Sequence, residues 1–262
     1  MLKHLYVLFL VTTLWVFPSY ANDTLSTLGL GGLEFKQTQD IRMEEEQLVI
    51  SKDLITVAYK FKNNTNKDIT ERVAFPLPAL TAEGYDDSDA IYNIQPNKKN
   101  PINFKLTVNG QPKIFETERK YYKADNTYKV TYHWLQTFPA NSILEVQHSY
   151  KPVSGEWIGA DKEAAKENLC IEDETYTWLA AQTKQGYKVK AHLVSYILTT
   201  GANWQDSIKQ FTLTVKKPHA DGRAIFCGSN IKKIDPTTFV MQKSNFKPTR
   251  DLFILFLDKP IK

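Results

Sequence analysis

Few residues of this chain stand in a pattern that is typical of catalysis. Five histidines occur, and one of them, His4, lies in the apolar N-terminal segment. The other four are His133, His148, His192 and His219, and none lies within four residues of another. No H-E-x-x-H motif, no G-x-S-x-G motif and no metal-spaced Cys/His set is present. The sequence therefore predicts no catalytic, cofactor-binding or metal-binding residue, although a Ser-His-Asp constellation can assemble from distant positions.

The strand patterns around two of the histidines predict structural roles for them. His148 shares a face with Leu144 and Val146, which is typical of a core histidine. His133 shares a face with Lys129 and is interpreted as a solvated side chain.

Acidic residues raise two further candidate sites. The run Glu44–Glu46 precedes three apolar residues and is interpreted as the solvated face of a strand. A later polar segment contains four carboxylates: Glu83, Asp86, Asp87 and Asp89. Carboxylate oxygens are the ligands that Ca²⁺ prefers, but these four lack the spacing of a calcium loop. We therefore interpret the segment as a solvated loop. A glycosidase pair cannot be recognised without a fold, because its separation in space sets the mechanism.

An aromatic and cationic stretch is the strongest candidate for a binding surface. It runs from Lys120 to Trp134 and carries five aromatic side chains: Tyr121, Tyr122, Tyr128, Tyr132 and Trp134. Exposed rings beside cations suit a protein or glycan partner. The alternative is cross-strand packing of the same rings on an ordinary sheet.

The N-terminal segment predicts export. Met1 to Ala21 has a short basic start, an apolar run and small residues at Ser19 and Ala21, which fits a signal peptide cleaved after Ala21. The alternative is an uncleaved anchor, but the apolar run is shorter than the roughly 20 residues of a membrane span. No later stretch is long and apolar enough to span a bilayer. We expect the mature chain in the periplasm or the medium.

Export to an oxidising compartment bears on the two cysteines of the chain, Cys170 and Cys227. Two cysteines without a leftover thiol predict a disulfide in such a compartment. Two buried free thiols are the alternative. A bond would close a loop of roughly 58 residues, for which the chain-entropy model gives about 4 kcal/mol.

The net charge excludes one class of partner. The formal net charge is +4, and charges of both signs are interspersed. This balance suits solubility and lacks the basic patch of a nucleic-acid-binding protein. We expect no nucleic-acid partner and no cofactor.

Alternating apolar residues predict a mainly β fold. Period-two patterns indicate strands at 55–61, 102–108, 128–134 and 144–150. Asn109-Gly110 predicts a type I′ hairpin turn between two strands.

The remaining patterns complete a predicted architecture. The stretch 157–186 lacks alternation and predicts a small helical insertion, while the apolar run Leu252–Leu257 predicts a central strand buried on both faces. We predict an antiparallel β-sandwich-like architecture with two lobes, residues 22–152 and 153–262, after the signal peptide 1–21.

The chain also resembles a known family. The landmarks that carry the resemblance are, in order, Asn22-Asp23-Thr24, Gly31-Gly32-Leu33, Ile50-Ser51, Val73 to Pro78, Tyr196 to Trp204, and Phe226-Cys227-Gly228. Together they resemble the exported proteobacterial proteins grouped as domain-of-unknown-function family 4424, over essentially the whole mature chain. The resemblance implies export. It implies no activity, cofactor or catalytic residue.

These observations favour a non-enzymatic exported protein that acts through its surface on a protein or glycan partner. A secreted hydrolase of extracellular polymer, with its site in a cleft between two lobes, is the first alternative. A periplasmic envelope assembly factor is the second.

Overall fold

The protein is mainly β, with a small helical insertion. The computed structural model describes residues 23–29, 32–81, 99–124, 126–156 and 162–262. The predicted signal peptide and the segment with Glu83, Asp86, Asp87 and Asp89 lie outside the described residues. The helices are α1 Lys162–Leu169, α2 Asp173–Lys184 and a 3₁₀ helix, Thr199–Asn203. The predicted helical insertion is therefore confirmed.

The strands form three sheets. In chain order they are β1 Thr24–Gly29, β2 Gly32–Lys36, β3 Ile41–Ser51, β4 Ile55–Asn63, β5 Ile69–Pro76, β6 Leu80–Thr81, β7 Lys105–Val108, β8 Gln111–Pro112, β9 Glu116–Tyr122, β10 Thr127–Phe138, β11 Ile143–Tyr150, β12 Ser154–Glu156, β13 Ala191–Tyr196, β14 Ile208–Lys216, β15 Arg223–Phe226, β16 Lys232–Lys233, β17 Thr238–Phe246 and β18 Leu252–Leu257. The largest sheet has eight strands in the order β16-β17-β14-β3-β4-β11-β7-β8. A six-stranded sheet runs β2-β1-β5-β10-β6, with β9 also paired to β10, and a four-stranded sheet runs β12-β13-β18-β15.

Antiparallel pairing prevails, as the sequence predicts. The exception among the described pairs is β3 with β14, which run parallel at the centre of the eight-stranded sheet. That sheet takes strands from both sides of the lobe boundary predicted at residue 152. The division into lobes 22–152 and 153–262 stays a prediction.

Alternation of apolar residues places the core between the sheets. On β4, Ile55, Val57, Tyr59 and Phe61 are all buried, and they belong to an apolar cluster that all three sheets share. Because period two puts alternate side chains on one face, the other face of β4 stays polar. The sequence therefore fixes which face of this strand looks inward.

The strand β18 is buried on both faces, as its continuous apolar run predicts. Ile254 and Phe256 belong to the main core. Leu255 and Leu257 belong to a second cluster, which includes Ala165 of α1. The helical insertion thus covers the outer face of the four-stranded sheet.

Two of the sequence interpretations are wrong, for reasons of packing. Glu46 is completely buried although its acidic run predicted a solvated face. The pairing of β3 with β4 shifts register between Met43 and Glu45, and such a bulge moves every later residue to the opposite face. His133 is 5% exposed and accepts or donates a hydrogen bond with Arg72 at 2.8 Å, so it is not a solvated histidine.

Candidate functional site

A groove of ligand size lies beside the disulfide. It encloses about 300 Å³, at the lower end of the range of small-molecule pockets. Its lining comes from the residues after β15, from β17, from the β17–β18 loop, from the start of β18 and from the residue before the 3₁₀ helix: Leu198, Cys227, Gly228, Ser229, Met241, Lys243, Phe246, Thr249, Arg250, Asp251, Leu252 and Phe253. We call it the disulfide groove.

The disulfide forms one wall of this groove. Cys170 and Cys227 are bonded, with their Cα atoms 5.2 Å apart. Cys170 directly follows α1, and Cys227 directly follows β15. The bond therefore ties the helical insertion to the four-stranded sheet at the edge of the groove.

The charged side chains that line the groove differ in the hydrogen bonds that they form. One carboxylate oxygen of Asp251 accepts bonds from the backbone N–H groups of Leu198 and Thr199, both at 3.1 Å, and from the Thr199 hydroxyl at 2.8 Å. This carboxylate holds the start of the 3₁₀ helix. Lys243 donates to the hydroxyl of Ser229, and Arg250 donates to the carbonyl of Glu167 at 3.4 Å.

The groove consequently offers two cations over an apolar floor. The floor includes Met241, Phe246 and Leu252. A guanidinium and an ammonium beside apolar side chains can hold a ligand that carries a carboxylate or phosphate on an apolar body. The sequence gives no sign of this, because Lys243 and Arg250 come together only through the fold of the β17–β18 loop.

A second polar assembly lies inside the molecule. Its members are buried carboxylates, tyrosines and a histidine drawn from different strands: Asp23, Glu46, Tyr59, His148, Tyr150 and Tyr196. We call it the buried acidic cluster. The Tyr196 hydroxyl donates to Glu46 Oε1 at 3.1 Å and lies 3.0 Å from the Tyr59 hydroxyl. His148 Nε2 lies 3.5 Å from Asp23 Oδ2.

Burial dominates the acid–base properties of this cluster. It lowers the pKa of His148 to about 3, so the imidazole is neutral near pH 7. Burial, and then the Glu46 carboxylate, raise the pKa of Asp23 well above its ordinary value. The pKa values of Tyr59, Tyr150 and Tyr196 are also raised, chiefly by burial.

The buried acidic cluster is closed to substrates in this conformation. Asp23 and Glu46 have no exposed surface, and His148 is 2% exposed. Aromatic rings surround the histidine, with Phe75 at 5.0 Å and Trp134 at 5.5 Å between ring centroids. The composition resembles that of an acid–base site, but a substrate would have to reach it through the core.

The predicted aromatic surface is only partly at the surface. Tyr132 and Trp134 are at most 2% exposed and belong to the core, so these two are removed from the candidate surface. The reason is that β10 lies between β5 and β9 in its sheet, which buries its inward residues. Tyr121, Tyr122 and Tyr128 remain near the end of the β9–β10 hairpin.

These three tyrosines and two lysines form what we call the tyrosine hairpin. The rings of Tyr121 and Tyr128 lie 4.9 Å apart, and the Tyr121 hydroxyl donates to Asn126. The ammonium groups of Lys120 and Lys129 lie 5.0 and 4.6 Å from the ring of Tyr122. Some of the ring surface of these tyrosines is therefore already in contact with other residues of the hairpin.

The described part of the chain contains neither a metal-binding cluster nor a membrane-spanning helix. No group of three or more His, Cys, Asp or Glu side chains in these ranges could hold a metal ion. None of the helices described above has the length and apolar character of a membrane span.

The sequence matches one family model in two overlapping parts. The model is the domain of unknown function DUF4424, and it matches residues 21–126 and 114–255. No curated protein has a matching sequence.

Solved structures match this chain at low sequence identity. A candidate nutrient-binding protein from Legionella pneumophila is 20% identical, with a TM-score of 0.57, and the match covers 84% of this chain and 68% of that one. An M1 zinc metallopeptidase from Deinococcus radiodurans is 10% identical, with a TM-score of 0.34, over 84% of this chain and 43% of that one.

Proposed function

The chain belongs to the DUF4424 family, and we propose that it is an exported binding protein that takes up a small anionic ligand with an apolar body in the disulfide groove. The observation that carries this proposal is the pairing of Lys243 and Arg250 with an apolar floor in a groove of about 300 Å³. The L. pneumophila protein of similar fold is described as a candidate for nutrient binding, which supports the same class of function.

The geometry favours binding over the hydrolase alternative. The paired carboxylates of the buried acidic cluster lack exposed surface, whereas the groove faces solvent. The groove holds one carboxylate, Asp251, and its bonds to the 3₁₀ helix give it a structural role. A hydrolytic pair would need a second carboxylate about 5–10 Å away.

The test uses mature protein, residues 22–262, and defined probes. We expect hexanoate and phenylacetate to raise the melting temperature and to bind in calorimetry. The uncharged matches, hexanamide and phenylacetamide, should bind more weakly because they cannot pair with the two cations. Failure of every carboxylate and of inorganic phosphate to bind would overturn the proposal.

Substitutions then locate the site. Lys243→Gln should weaken carboxylate binding about tenfold, which corresponds to about 1.4 kcal/mol. The matched control is Lys216→Gln, because Lys216 is exposed on β14 outside the groove lining. Thr249→Trp at the rim should block the groove without changing its charge. Equal affinities in all three variants would place the ligand elsewhere.

The tyrosine hairpin supports a second candidate function, which is contact with a glycan or protein partner. The specific observation is that two lysine ammonium groups lie 5.0 and 4.6 Å from the ring of Tyr122. Affinity electrophoresis through gels that contain an acidic polysaccharide tests it. We expect retardation that Tyr122→Ala reduces, and equal mobility of the two proteins would contradict this.

The compartment is tested separately. Fractionation of cells that express the full chain should place the protein in the periplasm or the medium. Retention in the periplasm would favour ligand capture or envelope assembly, whereas release would favour action on an external partner.

A further inference from the structure

One end of β17 brings two kinds of side chain to the disulfide groove. Met241 and Lys243 are two positions apart on this strand, so their side chains lie on the same face. At a rise of about 3.4 Å per residue, their Cα atoms are about 7 Å apart. Both residues line the groove. The strand therefore places a thioether and an ammonium group next to each other along the groove.

Phe246 reaches the same groove through a break in the alternation of β17. Strict alternation would put residue 246 on the face opposite to Met241 and Lys243. The residue before it, Asn245, has a φ of 49°, a left-handed conformation in which asparagine is enriched. The Phe246 ring packs on Phe211, whose ring centroid lies 4.9 Å away. Phe211 is buried, whereas Phe246 is partly exposed, so the groove wall contains one ring of an existing aromatic pair.

Two sulfur-containing residues also line the groove. They are Met241 and Cys227, the second of which belongs to the disulfide. Gly228 follows Cys227, and a Cβ atom added to this glycine would lie 2.8 Å from Met241 Sδ. The glycine therefore allows the thioether sulfur to approach the backbone beside the disulfide. Sulfur atoms make favourable contacts with aromatic rings, often at the ring edge.

We infer that the ligand of the disulfide groove is an aromatic carboxylate, with its ring against Phe246 and Met241 and its carboxylate on Lys243 and Arg250. This inference rests on the proposed function of the groove and narrows the apolar body of the ligand to an aromatic ring. Ring–ring and sulfur–ring contacts stabilise an aromatic ligand beyond the apolar area that it buries. A saturated ring of the same size buries similar area without these contacts.

Two acids that differ only in the ring test the inference. Phenylacetate and cyclohexylacetate carry the same carboxylate on the same carbon skeleton, but the ring of the second is saturated. Burial of apolar area alone does not favour phenylacetate, because the saturated ring has at least as much apolar surface. We expect mature protein to bind phenylacetate about fivefold more tightly in calorimetry, because of the ring–ring and sulfur–ring contacts.

The two possible failures are distinguishable. Equal affinities, or tighter binding of cyclohexylacetate, would overturn the inference and leave the proposed function of the groove standing. Absence of binding by both acids would overturn the proposed function, and the inference with it.

Substitutions show whether the groove side chains cause the preference. Phe246→Leu should weaken phenylacetate binding about fivefold and change cyclohexylacetate binding less than about twofold. The matched control is Phe239→Leu, because Phe239 is a partly buried residue of β17 outside the groove lining. An equal loss for both acids in Phe246→Leu would contradict the inference. Where Phe246→Leu does not fold, Met241→Leu gives the same comparison, since it removes the sulfur and nearly conserves volume.

A methyl signal locates the ligand ring directly. Residues 22–262 contain two of the three methionines of the chain, Met43 and Met241, and both methyl groups can be labelled with carbon-13. The ring current of bound phenylacetate should shift the Met241 signal, whereas saturating cyclohexylacetate should shift it much less. Met43 is completely buried outside the groove lining and serves as the internal reference. Equal shifts of the Met241 signal with the two acids would overturn the inference.

Discussion

The buried acidic cluster and the disulfide groove both contain charged side chains, but in opposite surroundings. Each brings carboxylates or cations from separate segments of the chain to one place. In the cluster, Asp23 and Glu46 are sealed between the sheets, so their interactions hold the chain together. In the groove, Lys243 and Arg250 lie at a solvent-facing margin, where they can meet a ligand. Residue type alone therefore does not identify a functional site in this fold.

The difference comes from where each region lies in the layers. The cluster contains Tyr59 of β4, His148 of β11 and Tyr196 of β13, all of which face the shared core. The groove forms where the second half of β17 and the β17–β18 loop meet the start of β18. Changes to the cluster should lower stability and leave ligand binding alone, and changes to the groove charges should do the reverse.

The largest effect is expected from removal of the disulfide, which both stabilises the fold and forms one wall of the groove. Replacing Cys170 and Cys227 by serine removes a bond that spans 57 positions, and the unfolding free energy should fall by about 4 kcal/mol. Affinity for phenylacetate should fall as well, because Cys227 lines the groove. Urea unfolding and calorimetry measure the two effects. If the unfolding free energy fell by less than about 1 kcal/mol and the affinity for phenylacetate stayed unchanged, neither the groove wall nor the helical insertion would depend on the disulfide.

The next effect tests the buried acidic cluster. Tyr196→Phe removes the hydroxyl that contacts Glu46 and Tyr59, so the unfolding free energy should fall by about 2 kcal/mol. Phenylacetate affinity should stay unchanged. Tyr121→Phe is the matched control, because the Tyr121 side chain is 47% exposed. A weaker affinity of Tyr196→Phe for phenylacetate would show that the buried acidic cluster also affects ligand binding in the disulfide groove.

The third effect is a slope with pH, and it is the smallest of the three for each pH unit. Burial lowers the pKa of His148 from 6.5 to about 3. Between these two pH values the imidazole binds a proton in the unfolded state but not in the folded state. The stability that this group contributes is present above pH 6.5 and is lost as the pH falls towards 3. Over that window His148→Gln should reduce the pH slope of the unfolding free energy by about 1.4 kcal/mol per pH unit. Urea unfolding at pH 7, 6, 5 and 4 measures it.

The control for that slope is His219→Gln, since His219 is exposed in a turn. Asp23 and Tyr59 are titratable groups close to the imidazole, and burial raises the pKa of both, opposite to its effect on His148. An identical slope in wild type and His148→Gln would show that the imidazole takes up its proton in the folded state.

Local patterns in the sequence predict much of the sheet structure. The alternation on β4 and β11 gives the correct inward faces, including the core position of His148. The Asn109-Gly110 turn joins β7 to β8, with positive φ at both residues. The apolar run of β18 is buried on both faces. These features depend on period and turn chemistry, which act over a few residues.

The candidate sites depend on pairings that no local pattern contains. The register shift near Met43 buries Glu46, although a signal was present: Ile41 and Met43 occupy odd positions, while Leu48 and Ile50 occupy even ones. A change of parity within one strand predicts a bulge. No comparable signal places Lys243 and Arg250 at one groove or Asp23 beside His148, because those arrangements need the assembled sheets.

The parallel pairing of β3 with β14 sets an order of events during synthesis. Leu48 lies opposite Leu213, so the centre of the largest sheet joins segments from the first and last thirds of the chain. Contacts so distant in sequence close slowly, since a long loop must form before any pairing is gained. The backbone N–H and C=O groups on one edge of β3 therefore stay without their strand partner until β14 has been synthesised. During that interval this edge can pair with other chains.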